Sequence, residues 1–448
     1  MELIYGIKDR PTLGKTFLFA LQQLLAIMAA TIAVPAIVGN GLSASAALFG
    51  AGVGTFVYLL FTKSSSPVFL GSSFAFIGSM FSAFGGAASV YIGYWGLIIG
   101  ALMAGTVYVI IAIVVKFCGV KWIDRLMPPV IIGPTVAIIG LSLSGNAISD
   151  LMKSSVEGGS PHVALVCGLF TLVVTMLCST YGRTTGKLIP FIQGIIAGYL
   201  LASFFALIGK ATGNPELVVI NYSALKNIDF SKLSGYISLP KFTAVLGGAK
   251  GLKGVTPSYL LTIFAAYVPV AFVVFAEHLA DHKNLSSIVG VNLLEKPGLT
   301  RTLLGDGIGT FVSSIFGGCP NTTYGESIGC VAITRNASTI SIWGCSVLCI
   351  LVSLMTPLVA FLETIPSCVM GGVCVALYGF IAVSGFKMFQ SVDLSKNRNL
   401  FVASVIFITG VGGMVVKFGA VEIRTVACAL ILGILTNLIL SGKNQEDE

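Results

Sequence analysis

The chain has 448 residues, of which 55% are hydrophobic and only 10% are charged. A soluble domain carries roughly 25% charged residues, so a water-soluble enzyme or binding module is excluded and a polytopic membrane protein is expected. The formal net charge of +8 would suit an acidic partner, but the cations are spaced by topology, as follows.

Lys8, Asp9, Arg10 and Lys15 stand ahead of a long apolar run that lacks a small-residue cleavage pattern, so no cleavable signal peptide is expected. Apolar segments of spanning length fall at about 15–38, 46–62, 67–85, 92–117, 126–147, 163–180 and 187–208. A more polar interval, 209–256, comes next. Seven further segments fall at about 257–280, 302–317, 319–334, 338–361, 366–389, 399–416 and 424–441. Fourteen spans put both termini on one side. With that side inside, 17 of the 26 Lys and Arg residues lie inside, Lys121, Arg125, Lys187 and Lys443 among them. Six of the remaining nine sit in 209–256. The bias is the positive-inside pattern: both termini are expected in the cytoplasm, and nucleic acid is discounted as a partner.

The interval separates a first repeat, 1–208, from a second, 257–448. Each holds an odd number of spans, so the second enters the membrane from the opposite side, which is the outline of an inverted repeat. The third segment of the first group opens S-P-V-F-L-G-S-S-F-A-F (Ser66–Phe76), and the third of the second opens C-P-N-T-T-Y-G-E-S (Cys319–Ser327). Both are short, begin at a proline, and pass through extended-type and small polar residues into an apolar helix. Interrupted segments in matching positions point to a midplane binding site. Such backbone is tolerated at membrane depth only where protein or a cavity covers it.

Four carboxylates fall within or at the edge of spans: Glu277, Asp281, Asp306 and Glu326. An acidic residue at that depth marks a functional site by default. Glu277 and Asp281 are four apart and share a helix face, whereas His282 and Lys283 are expected in water at the helix end. Asp306 lies in G-D-G-I-G-T (Gly305–Thr310) as a coupling or structural carboxylate. Its glycines fit close helix packing better than a phosphate loop, because the P-loop lysine is missing. In the first half the polar places are Gln22 and Gln23, then Ser72, Ser73 and Phe74. Gln23 is expected either to bond a neighbouring helix or to line the site.

His162, His278 and His282 lack the H-E-x-x-H order, so no metal is expected. The ten cysteines form no CxxC pair and are expected to be packing residues. No nucleophile–base set or phosphate-binding loop supports an enzyme or an ATP-driven pump, and no cofactor is expected. The polar residues cluster at one depth, which favours one alternating-access site over a channel. Two half-helix N-termini, near Phe74 and Gly325, offer free N–H donors, and Glu277 and Glu326 offer acceptors. A planar solute with alternating C=O and N–H groups suits that set, with Phe74 and Tyr324 against its ring faces.

The stretches G-S-S-F-A-F (Gly71–Phe76), F-A-E-H (Phe275–His278), P-N-T-T-Y-G-E (Pro320–Glu326) and A-I-T-R (Ala332–Arg335) resemble the nucleobase–ascorbate transporters. The bacterial uracil permease branch is the most similar, and the resemblance covers essentially the whole chain. It implies an all-α membrane protein of fourteen segments in a seven-plus-seven inverted repeat, with short strands breaking segments three and ten. Segments one to four and eight to eleven would form a core domain, and five to seven and twelve to fourteen a gate domain. Uracil would lie between the two breaks, its N–H groups on Glu277 and Glu326 and its carbonyls on the amides of Phe74 and Gly325. Ala30 and Tyr324 would line the pocket. Proton symport, a homodimer and a bacterial plasma-membrane location are also implied.

Three positions depart from the family pattern. Gln23 stands where many members have histidine, and Ser327 where the signature usually has asparagine. Asp281 stands where one uracil permease has histidine, which makes a carboxylate the expected proton carrier, with Glu277 and Asp306 as further candidates. Two other solutes compete with uracil. Xanthine or urate permeases tend to carry glutamine at the place of Glu326, and an anion exchanger of this architecture would carry no carboxylate there.

Overall fold

A computed structural model describes residues 3–119, 122, 127–183, 189–418 and 421–441. Of the cations expected on the inner side, Lys121, Arg125, Lys187 and Lys443 lie outside the described residues. The chain is mostly helical. The first half holds α1 (Leu13–Val38), α2 (Ala44–Phe61), β1 (Leu70–Ser72), a 3-10 turn (Phe74–Phe76), α3 (Ile77–Gly85) and α4 (Val90–Cys118). It continues with α5 (Pro129–Ser142), α6 (Ser144–Leu151), α7 (Pro161–Tyr181) and α8 (Pro190–Thr212). The polar interval contains α9 (Ser223–Lys226) and α10 (Thr243–Lys253). The second half holds α11 (Pro257–Val289), α12 (Leu299–Gly317), β2 (Asn321–Thr323), α13 (Gly325–Thr334), α14 (Thr339–Ser353) and α15 (Thr356–Glu363). It ends with α16 (Ser367–Phe389), α17 (Asn397–Val411), the hairpin β3 (Val416–Phe418) and β4 (Val421–Ile423), and α18 (Thr425–Ser441).

Among the described residues, eight helical segments are long and apolar enough to cross a membrane, and the chain is a multi-pass membrane protein. Prolines at the first helical turn open α5, α7, α8 and α11, where the missing N–H costs no hydrogen bond. Segment boundaries differ from the sequence expectation in three places. The segment expected at 126–147 breaks at Leu143 into α5 and α6, and 338–361 breaks before Pro357 into α14 and α15. The segment expected at 257–280 runs on to Val289, its last turns burying His282, Leu285 and Val289 while Lys283, Asn284 and Ser287 stay exposed. His282 is therefore not in water: it is 1% exposed, with Nε2 2.8 Å from the Tyr58 hydroxyl and Nδ1 2.8 Å from the His278 carbonyl. Lys283 is exposed.

The glycines of G-D-G-I-G-T do serve close packing. A Cβ on Gly307 would stand 2.8 Å from the Gly105 carbonyl of α4, and one on Gly309 2.8 Å from the Gly54 carbonyl of α2. Glycine alone lets α12 seat this closely between its two neighbours.

The two breaks meet at the centre of the molecule. β1 and β2 pair antiparallel, Leu70 against Thr323, Gly71 against Thr322 and Ser72 against Asn321. The ladder extends at each end, through the Tyr324 amide to the Phe69 carbonyl (3.2 Å) and the Ser73 amide to the Pro320 carbonyl (2.8 Å). A two-stranded ribbon buried among apolar helices still has outward backbone groups to satisfy. Helix hydroxyls do this. Thr55 Oγ1 accepts from the Leu70 amide at 2.9 Å and lies 3.1 Å from the Leu70 carbonyl, while Thr310 donates to the Asn321 carbonyl at 2.6 Å. Gly318, at φ +70°, ends α12 and turns the chain toward β2.

Candidate functional site

A cavity of about 350 Å³ opens at the strand crossing. It is lined by residues of α1, the turn after β1, α5, α7, α8, α11, β2, α13 and α16. It reaches from Ser73 and Phe74 to Ile333 and Met388 near the ends of α13 and α16. A cavity of this size suits a small ligand. Glu277, Asp281 and Glu326 all line it, and no lysine or arginine is among the described lining residues. The wall is thus rich in acceptors.

Each group is positioned by local structure. Glu277 and Asp281 lie one turn apart on α11 and face the same cavity. Gly325 and Glu326 are the first two residues of α13, reached directly from β2. Phe74 heads the helical run Phe74–Gly85. The first amides of a helix have no intrahelical acceptor, so both breaks present N–H donors at the cavity wall. Tyr324 is buried. Its hydroxyl donates to the Ser72 carbonyl at 2.7 Å, and its ring lies where Gly71 has no Cβ. Thr323 donates to Asp281 Oδ2 at 2.6 Å, tying that carboxylate to β2.

The structure brings together Ser73, Phe74, Glu277, Asp281, Tyr324, Gly325 and Glu326 on this wall. Ala30, Gln23, Ser327 and Asp306 stand outside the lining. Ala30 is buried, and Ala26, one turn earlier on α1, takes the wall position. Asp306 is buried in α12 with Oδ2 2.7 Å from His278 Nδ1, while His278 Nε2 is 3.0 Å from the Thr302 hydroxyl. The rings of His278 and His282 stack at 4.1 Å. Gln23 and Ser327, two of the departures from the family pattern, touch each other: Gln23 Nε2 donates to the Ser327 carbonyl at 3.2 Å. The Ser327 hydroxyl accepts from the Phe69 amide at 3.0 Å. Both buttress the strand crossing from behind. Thr322, Thr323 and Ala26 escape the sequence reading. The T-T pair lay inside the singled-out stretch, but nothing local says which hydroxyl meets the cavity.

A second cavity of about 240 Å³ shares Phe74 and Ala75 with the first. It meets α11 at Ala266 and Val270, whereas the first meets it at Glu277 and Asp281. Ala266 and Glu277 are about 16 Å apart along a helix, so the two cavities are stacked along α11 with the Phe74–Ala75 turn between them. On the second cavity's wall Arg424 Nε donates to Ser82 Oγ at 2.6 Å, joining the start of α18 to α3.

Residues 14–418 match the sequence pattern of a family described as the Permease family. This chain belongs to that family. The permease is 38% identical to the uracil permease of Bacillus caldolyticus, over 99% of this chain and 96% of the relative. It is 36% identical to the uracil permease of Escherichia coli K12, over 97% of this chain and 93% of the relative. The resemblance drawn from the sequence motifs is to these proteins, and the relatives are permeases, not enzymes. Among solved structures, the transmembrane domain of the cyanobacterial bicarbonate transporter BicA superposes with a TM-score of 0.59 at 16% identity, covering 98% of this chain and 99% of the other. That likeness is one of fold.

Proposed function

We propose that this permease imports a nucleobase, uracil first, by proton symport with alternating access. Glu277 and Glu326 accept the solute's N–H groups, the amides of Phe74 and Gly325 donate to its carbonyls, and Phe74, Ser73 and Tyr324 surround the ring. Asp281 carries the proton, with Glu277 beside it, and Asp306 supports coupling from behind through His278. The frame is fourteen spans in a seven-plus-seven inverted repeat. The core domain (segments one to four and eight to eleven) moves against the gate domain (five to seven and twelve to fourteen). The chain works as a homodimer in a bacterial plasma membrane, with both termini in the cytoplasm.

One observation carries the reading: two carboxylates and the heads of two helices line one cavity. A dioxopyrimidine has two N–H donors and two carbonyl acceptors in alternation, and the site offers the complement. Names of relatives 36% to 38% identical over nearly the full length support the same solute. The test is uptake of labelled uracil into proteoliposomes under an imposed pH gradient, competed with thymine, xanthine, hypoxanthine and uric acid. Uracil is expected to compete best and the gradient to drive accumulation. Stronger competition by xanthine, or accumulation indifferent to the gradient, would overturn the proposal.

A further inference from the structure

On α11 each cavity carboxylate is followed by a histidine: Glu277 by His278, and Asp281 by His282. Glu277 and Asp281 line the cavity and neither histidine does. Successive residues of a helix point about 100° apart, so the two rings face the packed side of α11, where they are 0% and 1% exposed. His278 is held by α12 at both ring nitrogens, Nδ1 2.7 Å from Asp306 Oδ2 and Nε2 3.0 Å from the Thr302 hydroxyl. His282 is held by α2, with Nε2 2.8 Å from the Tyr58 hydroxyl and 3.3 Å from that of Ser66.

The same two helices hold the strands. On α2, Thr55 bonds the Leu70 amide of β1 three residues before Tyr58. On α12, Thr310 donates to the Asn321 carbonyl of β2 one turn after Asp306. Each helix therefore grips one strand with one side chain and α11 with another. The carboxylates ride on α11, and the heads of the two short helices follow the strands. We propose that His278 and His282 are positioning residues: they fix the roll of α11 and so aim Glu277 and Asp281 at the solute that the strand-borne helix heads hold. This rests on the nucleobase reading above. The tolerance is small. A roll of about 20° moves a group at the roughly 5–6 Å side-chain radius of a helix by about 2 Å, more than a hydrogen bond survives.

The test separates aiming from mere support, by uracil Kd and melting temperature of the purified permease. Tyr58→Phe removes one hydroxyl and keeps the ring, and His282→Leu removes the imidazole. Each is expected to weaken uracil binding about tenfold. Each is also expected to shrink the preference for uracil over 1-methyluracil or 3-methyluracil, because the carboxylate that reads the missing N–H is no longer aimed. His282→Gln, whose amide reaches toward Tyr58, is expected to bind within about threefold of the wild type. Val402→Ala, buried in α17 outside both cavities, is expected to lower the melting temperature with Kd and preference unchanged. Should His282→Leu fail to fold, Tyr58→Phe decides alone. Wild-type Kd in Tyr58→Phe and His282→Leu would overturn the inference and leave the transport proposal standing. So would a loss of affinity equal for uracil and both methylated rings, or a loss in His282→Gln as large as in His282→Leu. A wild type that binds no nucleobase of the panel would overturn both.

Discussion

Ser66–Phe76 and Cys319–Ser327 follow the same path: a proline, three residues of strand, then a helix heading away from the crossing. They differ in what they carry. The first passes through a 3-10 turn into the nine-residue α3, has no ionisable side chain, and packs by aromatic contact. Phe76 stacks on Tyr267 at 5.6 Å and Phe74 meets Tyr378 edge-on at 5.7 Å. The second runs straight into α13, places Glu326 in its first turn, and ties Asp281 through Thr323. The first break also touches both cavities, through Phe74 and Ala75, while Thr322 to Glu326 touch one. Backbone donors thus arise twice, from one geometry used twice, but carboxylate acceptors arise once, from the second half. The strand-to-helix path is shared by both breaks, and side-chain chemistry distinguishes them.

That division can be attacked from either side. The largest effect is expected from Glu326→Gln and Glu277→Gln. Each replaces a carboxyl group with an amide that has one acceptor oxygen and two N–H donors, and uracil affinity is expected to fall by on the order of 100-fold. Direct binding measurements check this, and near-native affinity in both would show that the acceptors are elsewhere. Next comes Asp281→Asn. Loss of gradient-driven accumulation is expected with uracil counterflow retained, because the proposed proton carrier is removed while the proposed solute contacts stay. Wild-type accumulation in this variant would remove Asp281 from coupling. Gly71→Ala and Gly325→Ala then test the two backbones. A Cβ on Gly71 would overlap the Tyr324 ring, whereas one on Gly325 meets nothing within 4 Å. Gly71→Ala is expected to destabilise by about 1–3 kcal/mol and Gly325→Ala far less, read as melting temperature in detergent. The smallest effect on transport is expected from Ser327→Ala, which leaves the buried Phe69 amide without its acceptor at a stability cost of about 1–3 kcal/mol while the uracil KM stays nearly unchanged.

What the sequence disclosed was local. Composition and apolar runs gave the membrane helices, and the spacing of Glu277 and Asp281 put both on one face. The polar interruption at Cys319–Ser327 drew attention to itself among apolar spans. Contacts between distant segments were invisible by the same measure. Gln23 and Ser327 read as two separate departures, yet they meet across the strand crossing. The register that sets Gly71 against Thr322 is fixed by α2 and α12 holding the outer edges of the ribbon, and no periodicity within either strand encodes it. His282 looked like the polar end of a helix because hydropathy cannot see that Tyr58 awaits it. Asp306 has the same chemistry as the cavity carboxylates but sits behind His278, a matter of which face of α12 turns toward α11.

The hydrogen bond from Thr323 to Asp281 has a thermodynamic consequence. Thr323 belongs to the strand that leads into Gly325 and Glu326, so in the proposed mechanism a solute on those residues and a proton on Asp281 act on one another through one hydroxyl. Such coupling is reciprocal: if protonation changes solute affinity by some factor, the solute changes proton affinity by the same factor. Proton uptake or release on adding uracil to the purified protein and the pH dependence of uracil affinity are then two readings of one free energy. Their agreement in the wild type, and their joint disappearance in Thr323→Val, would locate that energy in a single contact.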